Sequence, residues 1–336
     1  MPALPAPRGS GSERVIGELR RPPHQLAPSE LPVPPDPLSD EDLQLSLYLL
    51  YELHYRGFDG VDEGWEWEPS LLSLRASLER IFEAALLDAV GSPGETVAPQ
   101  EMDVALRAIA DADEGPSPSG YVEREATLDQ VLEFLVHRSA YQLKEADPHS
   151  WALPRLSGAP KAALVEIQAD EYGGGRPERV HARLFAESME AVGLDPTYGA
   201  YLDQIPGLTL ATVNLMSFLG LHRRWRGATV GHLALFEMTS SIPNRRYAAG
   251  LRRLGFDGAA TEFFDEHVEA DAVHENVAAV DLAGGLARAE PQVAPDILWG
   301  ARALAELDAR WGGHLLAAWG RGESSLVRPL LAATPA

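Results

Sequence analysis

The sequence contains no cysteine. This absence excludes disulfide bonds, zinc sites built from thiolates, cysteine-ligated iron–sulfur clusters and a thiol nucleophile. A metal ion bound by this chain must therefore be held by histidine and carboxylate ligands. Such ligands suit iron, manganese or zinc.

Basic residues and long apolar runs are also scarce. The chain has 28 Lys and Arg against 50 Asp and Glu, for a formal net charge of −22. This charge opposes binding to nucleic acid or to an anionic membrane, because both require a basic surface. No run reaches the roughly 18 apolar residues of a membrane span, and the N-terminus lacks the apolar core of a secretory signal. We therefore expect a cytoplasmic protein with neither a nucleic-acid nor a membrane partner.

Strand-like alternation and internal repeats are absent as well. With 336 residues, 45% of them hydrophobic, the chain is long enough to bury a substantial core. Helical apolar periodicity predicts an all-α fold of roughly nine helices packed as a bundle. Residues 1–39, rich in proline, serine and glycine, are predicted to be a disordered leader. Residues 40–336 are predicted to form a single helical domain.

One predicted helix carries the strongest chemical signal. The stretch FFDEHVEADAVHENVAAV, residues 263–280, places His267, Asp271 and His274 at positions i, i+4 and i+7. On an α-helix these side chains project within about 60° of one another. Two imidazoles and one carboxylate on a single stripe form part of a metal site. A solvated polar face is the structural alternative, since other acidic residues occupy the same turns.

Further carboxylates and an imidazole lie on other predicted helices. Glu178 and His181 form a Glu-x-x-His pair after three glycines, while Glu171 or Asp170 could reach inward just before them. Glu145 and Glu237 lie in largely apolar surroundings. Each signal is weak alone, because acidic residues are common at helix ends. Carboxylates and histidines on three or four helices together are typical of a carboxylate-bridged two-metal centre.

Three segments resemble a known family. RSAYQLKEADPHSWALPRL and VEIQADEYGGGRPERVHARLF, followed by HVEADAVH, are similar to the haem-oxygenase-like diiron oxidases, the iron-containing redox enzymes. The resemblance covers roughly residues 125–320, which it implies to be a metal-binding core, preceded by N-terminal helices over 40–124 that match no better-known member. It implies a haem-oxygenase-like helical bundle. The metal ligands implied by the family pattern are Glu145, Glu171 as an extra carboxylate that can swing in, Glu178, His181, Glu237 as a carboxylate that some members use, His267, Asp271 and His274.

The resemblance also implies an activity. We expect an iron-containing oxidoreductase: a non-haem diiron oxidase or oxygenase with two iron ions, O₂ as co-substrate and no catalytic residue beyond the metal ligands. Its substrate would be a small molecule bearing an amine or a carboxylate. Haem oxygenase proper would not need the acidic set, and the thiamin-salvage hydrolases of this fold use a cysteine that this chain lacks.

Several alternatives stay open at the level of sequence. The chain could be a non-catalytic helical protein that binds a ligand or partner and keeps these residues as a structural metal site or polar network. A mixed Mn/Fe centre or a single-metal hydrolase is a further alternative. An external electron donor and a homodimer are compatible with the sequence, which identifies neither.

Overall fold

Helices form all the regular structure in the part of the chain that the computed structural model describes. These residues are 1–28, 32–94, 97–112, 115 and 117–330, without the side chains of 269–273. No helix among them is long and apolar enough to cross a membrane. The α-helices, numbered in chain order, are α1 Ser10–Leu19, α2 Glu41–Glu52, α3 Pro69–Val90, α4 Met102–Asp111, α5 Pro118–Arg124, α6 Leu128–Gln142, α7 Asp147–Ser150, α8 Gly158–Glu171, α9 His181–Ala191, α10 Gly207–Leu221, α11 Arg226–Arg253, α12 Ala259–Asn276, α13 Gly284–Ala289 and α14 Ala294–Gly320.

The N-terminal segment differs from the expected disordered leader. Helix α1 buries Val15, Ile16 and Leu19 and packs against α2. The carboxylate of Asp42 on α2 accepts hydrogen bonds from the backbone N–H of Gly11 at 2.8 Å and of Ser12 at 2.7 Å. It thereby satisfies orphan donors at the start of α1. The composition of this segment predicts disorder. The segment is nevertheless ordered, because α1 has a short apolar stripe and α2 supplies a cap for its N-terminus.

Helix α11 packs extensively against both α12 and α14. A Cβ atom on Gly231 of α11 would lie 1.7 Å from the carbonyl oxygen of Ile297 on α14, so only glycine permits this approach. Helix α11 continues through Pro243 to Arg253 without a break.

Two segments of the chain depart from regular α-helix. Helix α6 ends at Gln142. Ala146 adopts a left-handed conformation, with φ 71°, and the chain turns there before Pro148 opens α7. Residues Val277–Ala283, directly after α12, form a π-helical turn. Such turns are frequently found at functional sites.

Candidate metal centre

A sharp reversal of the chain brings two helix ends together. Glu171 is the last residue of α8, and Gly173 to Gly175 follow with φ values of 71°, 59° and 79°. A Cβ atom on Gly173 would lie 2.7 Å from the backbone nitrogen of Val180, so the turn requires glycine at this position. His181 then begins α9, with its Nδ1 atom 3.0 Å from Oε2 of Glu171.

Helix α12 supplies two imidazoles from one face. Nδ1 of His267 donates to the carbonyl oxygen of Phe263 at 2.7 Å, which directs Nε2 towards Oε1 of Glu145, 3.7 Å away. His274 has the opposite orientation. Its Nε2 donates to Asp170 at 3.0 Å, and its Nδ1 lies 3.5 Å from Oε2 of Glu237. Each ring thus donates from one nitrogen and presents the other to the centre of the bundle.

These side chains form two potential metal-binding groups. Within each group the ligand atoms all lie within 4.8 Å of one another, and every residue is buried. Glu171 belongs to both groups and therefore lies between them. The first group contains Glu145, Glu171, His181 and His267, and the second contains Glu171, Glu237 and His274.

Buried polar atoms that lack aligned hydrogen bonds indicate that the cluster fits metal ions. Among the described residues, Oε2 of Glu145 and Nδ1 of His274 are buried without an aligned hydrogen bond. Oε2 of Glu171 and Nδ1 of His181 lie close together, but their angle is not that of a hydrogen bond. Burying such atoms unsatisfied is costly. Oxygen and imidazole donors that converge in this way match the ligand preference of iron.

Electrostatic interactions within the cluster are strong. Burial opposes ionisation of Glu171, but His181 and the other nearby imidazoles outweigh it and lower the pKa of this carboxyl to about 2. Burial raises the pKa of Glu145, against the influence of His267. Burial alone would lower the pKa of His274, yet Glu237 and Asp170 raise it to about 9. The carboxylates and imidazoles therefore stabilise one another's charged forms in a site that largely excludes water.

Most of the residues predicted from sequence meet in this cluster. The structure brings together Glu145, Glu171, His181, Glu237, His267 and His274. It does not bring Glu178 there, and this prediction is corrected. Glu178 is exposed in a 3₁₀ turn, Pro177–Arg179, because α9 begins only at His181 and the pair shares no helical face. The side chain of Asp271 lies outside the described residues.

Two features of the site were not predicted. One is the hydrogen bond that Asp170 of α8 accepts from His274 of α12. The other is a buried imidazole pair beside the cluster, with Nε2 of His149 3.1 Å from Nδ1 of His232. The spacing of single residues along the chain gives no signal for either contact, because both join separate helices.

A cavity opens on one side of the cluster. Its volume is about 350 Å³, and Glu145 and His267 contribute to its lining. The other walls come from α5, α6, α9, α11, α12 and α14. Cavities of this size are typical of small-molecule sites. The first group of ligands is therefore in contact with a space large enough for a small molecule.

Comparisons with known proteins agree with this geometry. A family model described as iron-containing redox enzyme matches residues 132–309, a segment that contains all six clustered side chains. The nitrosourea synthase of Streptomyces achromogenes subsp. streptozoticus is 27% identical over 236 residues. These residues are 68% of this chain and 49% of that protein, so the chain spans about half the length of this relative. The resemblance is confirmed: this all-α chain, with its haem-oxygenase-like helical fold, belongs to the family of iron-containing redox enzymes.

Proposed function

We propose that this protein is a cytoplasmic non-haem diiron enzyme that uses O₂ to oxidise a small molecule. The observation that carries the proposal is the sharing of Glu171 by two buried ligand groups. A carboxylate with neighbours on both sides is the arrangement by which helical bundles hold two metal ions close together. A structural site for one ion would need neither a second group nor a bridge.

The residues of the chain have distinct roles in this proposal. Glu145, His181 and His267 would hold one iron ion, Glu237 and His274 the other, with Glu171 between them. Phe263 and Asp170 accept hydrogen bonds from one ring nitrogen of His267 and of His274, so the other ring nitrogen would be the metal ligand. When bound, iron supplies the capacity to activate and reduce dioxygen. The buried walls keep water away from the reaction.

Two further considerations support oxidation of a small molecule. The cavity is in contact with Glu145 and His267, so a substrate bound there would lie next to the first ligand group. The related protein from Streptomyces is a nitrosourea synthase, and a nitrosourea is a small molecule. The proposal includes two partners: an external electron donor, and a second copy of the chain in a homodimer.

Iron reconstitution without oxygen tests this proposal. The purified protein is loaded with Fe(II) anaerobically, its metal content is measured, and O₂ is admitted while O₂ consumption and visible absorption are followed. We expect about two iron ions per chain, as in helix-bundle diiron proteins, together with O₂ uptake and a transient visible band. His274→Ala should lose the band and part of the iron.

Glu178→Gln is the matched control, because this acidic residue lies in the same segment but outside the cluster. It should retain the full iron content and the band. Less than one metal ion per chain after reconstitution would refute the diiron site and favour a polar network without catalysis. Full metal content without O₂ uptake would favour a hydrolase.

A further inference from the structure

We propose that the cavity beside the cluster is a substrate site selective for compact monocarboxylates with an apolar body, whose carboxylate is bound by Arg138 and Arg246. The oxidation of such a ligand rests on the proposed function, whereas its binding does not. The inference is carried by three properties of the lining: its size, its aromatic walls and its two guanidinium groups.

The size of the cavity limits the ligand. A volume of about 350 Å³ corresponds to about a dozen heavy atoms, since one water occupies about 30 Å³ of liquid. The cavity includes the fully buried Glu145 and His267 as well as Arg246, whose side chain is 37% exposed. It therefore connects the metal ligands with the protein surface, and a bound molecule could contact both regions.

The walls between these regions are aromatic. The ring of Phe134 stacks on Tyr247, with centroids 4.2 Å apart, and Phe185 meets Phe263 edge-on at 5.0 Å. Rings packed against one another form a wall that is already organised before a ligand arrives. Such a surface favours an apolar body. The aromatic residues lining the cavity are Phe134, Phe185, Phe236, Tyr247, Phe263, Phe264 and Trp311.

Arg138 and Arg246 place two guanidinium groups in the lining of a chain whose net charge is −22. The Arg138 guanidinium lies over the ring of Trp311 at 4.6 Å and shares a hydrogen bond with Tyr247. Within the described residues, Arg246 has only long contacts, 3.5 Å to Ser117 and 3.8 Å to Glu123. A guanidinium presents a planar fork of donors that matches a carboxylate. Both groups therefore retain capacity to bind an anion.

Among the described residues, two carboxylates lie near these arginines: Asp308, which lines the cavity, and Glu123, which lies 3.8 Å from Arg246 and does not line it. The long contact with Glu123 leaves the donors of Arg246 able to bind an anion, although the net charge of the chain is −22. A simple amine would meet the two cations and be disfavoured. An amino acid could still bind, with its ammonium group near Asp308, because the carboxylate interaction would be retained.

Two probes that differ only in their charged group test this selectivity. 4-Phenylbutyrate and 4-phenylbutylamine have about the size that the cavity admits and share the same apolar body. Their affinities are measured by titration calorimetry on the full chain, both metal-free and loaded with Fe(II) under anaerobic conditions. We expect the carboxylate to bind at least tenfold more tightly than the amine in both forms.

Variants locate the binding site. Arg138→Gln and Arg246→Gln should each weaken 4-phenylbutyrate binding about tenfold, as expected for the loss of one charge-assisted contact. Arg246 has only weak contacts with its neighbours, so this variant should fold normally even if Arg138→Gln does not. Arg183→Gln is the matched control, because this exposed arginine of α9 pairs with Glu187 away from the cavity. It should bind both probes as the wild-type protein does.

The outcomes separate this inference from the proposed function. Equal affinity for the two probes, absence of binding, or unchanged affinity in a folded Arg246→Gln variant would overturn the substrate site. Carboxylate binding that depends on Arg246, without any O₂ uptake by the iron-loaded protein, would leave the site standing and overturn the oxidase. O₂-dependent turnover of a substrate whose KM is the same in Arg246→Gln as in the wild-type protein would leave the oxidase standing and overturn the substrate site.

Discussion

Lys144 and Glu145 are neighbours in the chain and both are buried, yet their surroundings differ. The ammonium of Lys144 lies 2.9 Å from Oε2 of Glu52 and faces the rings of three tyrosines, Tyr48, Tyr55 and Tyr198, at 4.3 to 5.9 Å. Tyr198 donates to the same oxygen of Glu52 at 2.6 Å. Glu145, by contrast, has an oxygen that meets no aligned donor among the described residues.

The difference separates a structural polar network from a binding site. Around Lys144, charges and hydroxyl groups satisfy one another, so this region, the tyrosine cage, is complete without a ligand. Around Glu145, ligand atoms of the described residues converge without forming aligned hydrogen bonds with one another. A buried charge that its own neighbours compensate stabilises a particular packing, whereas one left uncompensated indicates a missing partner.

Breaking the tyrosine cage should have the largest effect. Lys144→Met leaves Glu52, which is 0% exposed, without its counter-charge. Removal of one partner of a buried ion pair costs about 3–5 kcal/mol, so we expect the free energy of unfolding to fall by this amount in urea denaturation, with or without iron. In the double variant Lys144→Met/Glu52→Gln the loss should be smaller. A double loss equal to the sum of the single losses would mean that the two side chains are not coupled.

Breaking the cluster should instead affect the metal. Glu171→Ala removes the residue common to both ligand groups, so iron content after anaerobic loading should fall from about two ions per chain to one or fewer. Unfolding of the metal-free protein should change less than in Lys144→Met, because His181 loses the carboxylate that raises its pKa and can become neutral. An intact iron content in this variant would exclude Glu171 as the bridge.

Removing the hydrogen-bonded support of one metal ligand, His274, while keeping the ligand itself, should have an intermediate effect. Asp170 is 60% exposed and accepts the Nε2 hydrogen bond of His274. Partners that orient a metal-bound histidine typically contribute 10- to 100-fold in metal affinity. In Asp170→Asn we therefore expect Fe(II) to bind more weakly by this factor in competition with a chelator, while the metal-free protein unfolds as the wild type does. An unchanged affinity would show that His274 needs no such support.

The smallest effect is expected at Glu178. Because this side chain is exposed and precedes α9, Glu178→Gln should leave both the iron content and the unfolding midpoint unchanged. Metal analysis and thermal denaturation measure these quantities. A loss of iron in this variant would mean that the start of α9 rearranges to include residue 178 when metal binds.

The contrast also explains which features could be predicted from sequence. Helical periodicity was sufficient for the all-α class, and His267 and His274 lie on one face because seven residues make nearly two turns of a helix. Glu178 was misplaced because sequence does not show where a helix begins after a glycine turn. The pairing of Lys144 with Glu52 depends on contact between residues 92 positions apart, which no local pattern contains.

The glycine turn between α8 and α9 also bears on hydrogen exchange. Glu171 and His181 stand at its two ends, and a metal ion that binds both would close the loop between them as a cross-link does. Closing a loop restricts local opening of its backbone. Amide exchange at residues 172–180 should therefore slow on iron loading more than exchange within α10. These amides would then report, residue by residue, whether the first metal position is filled.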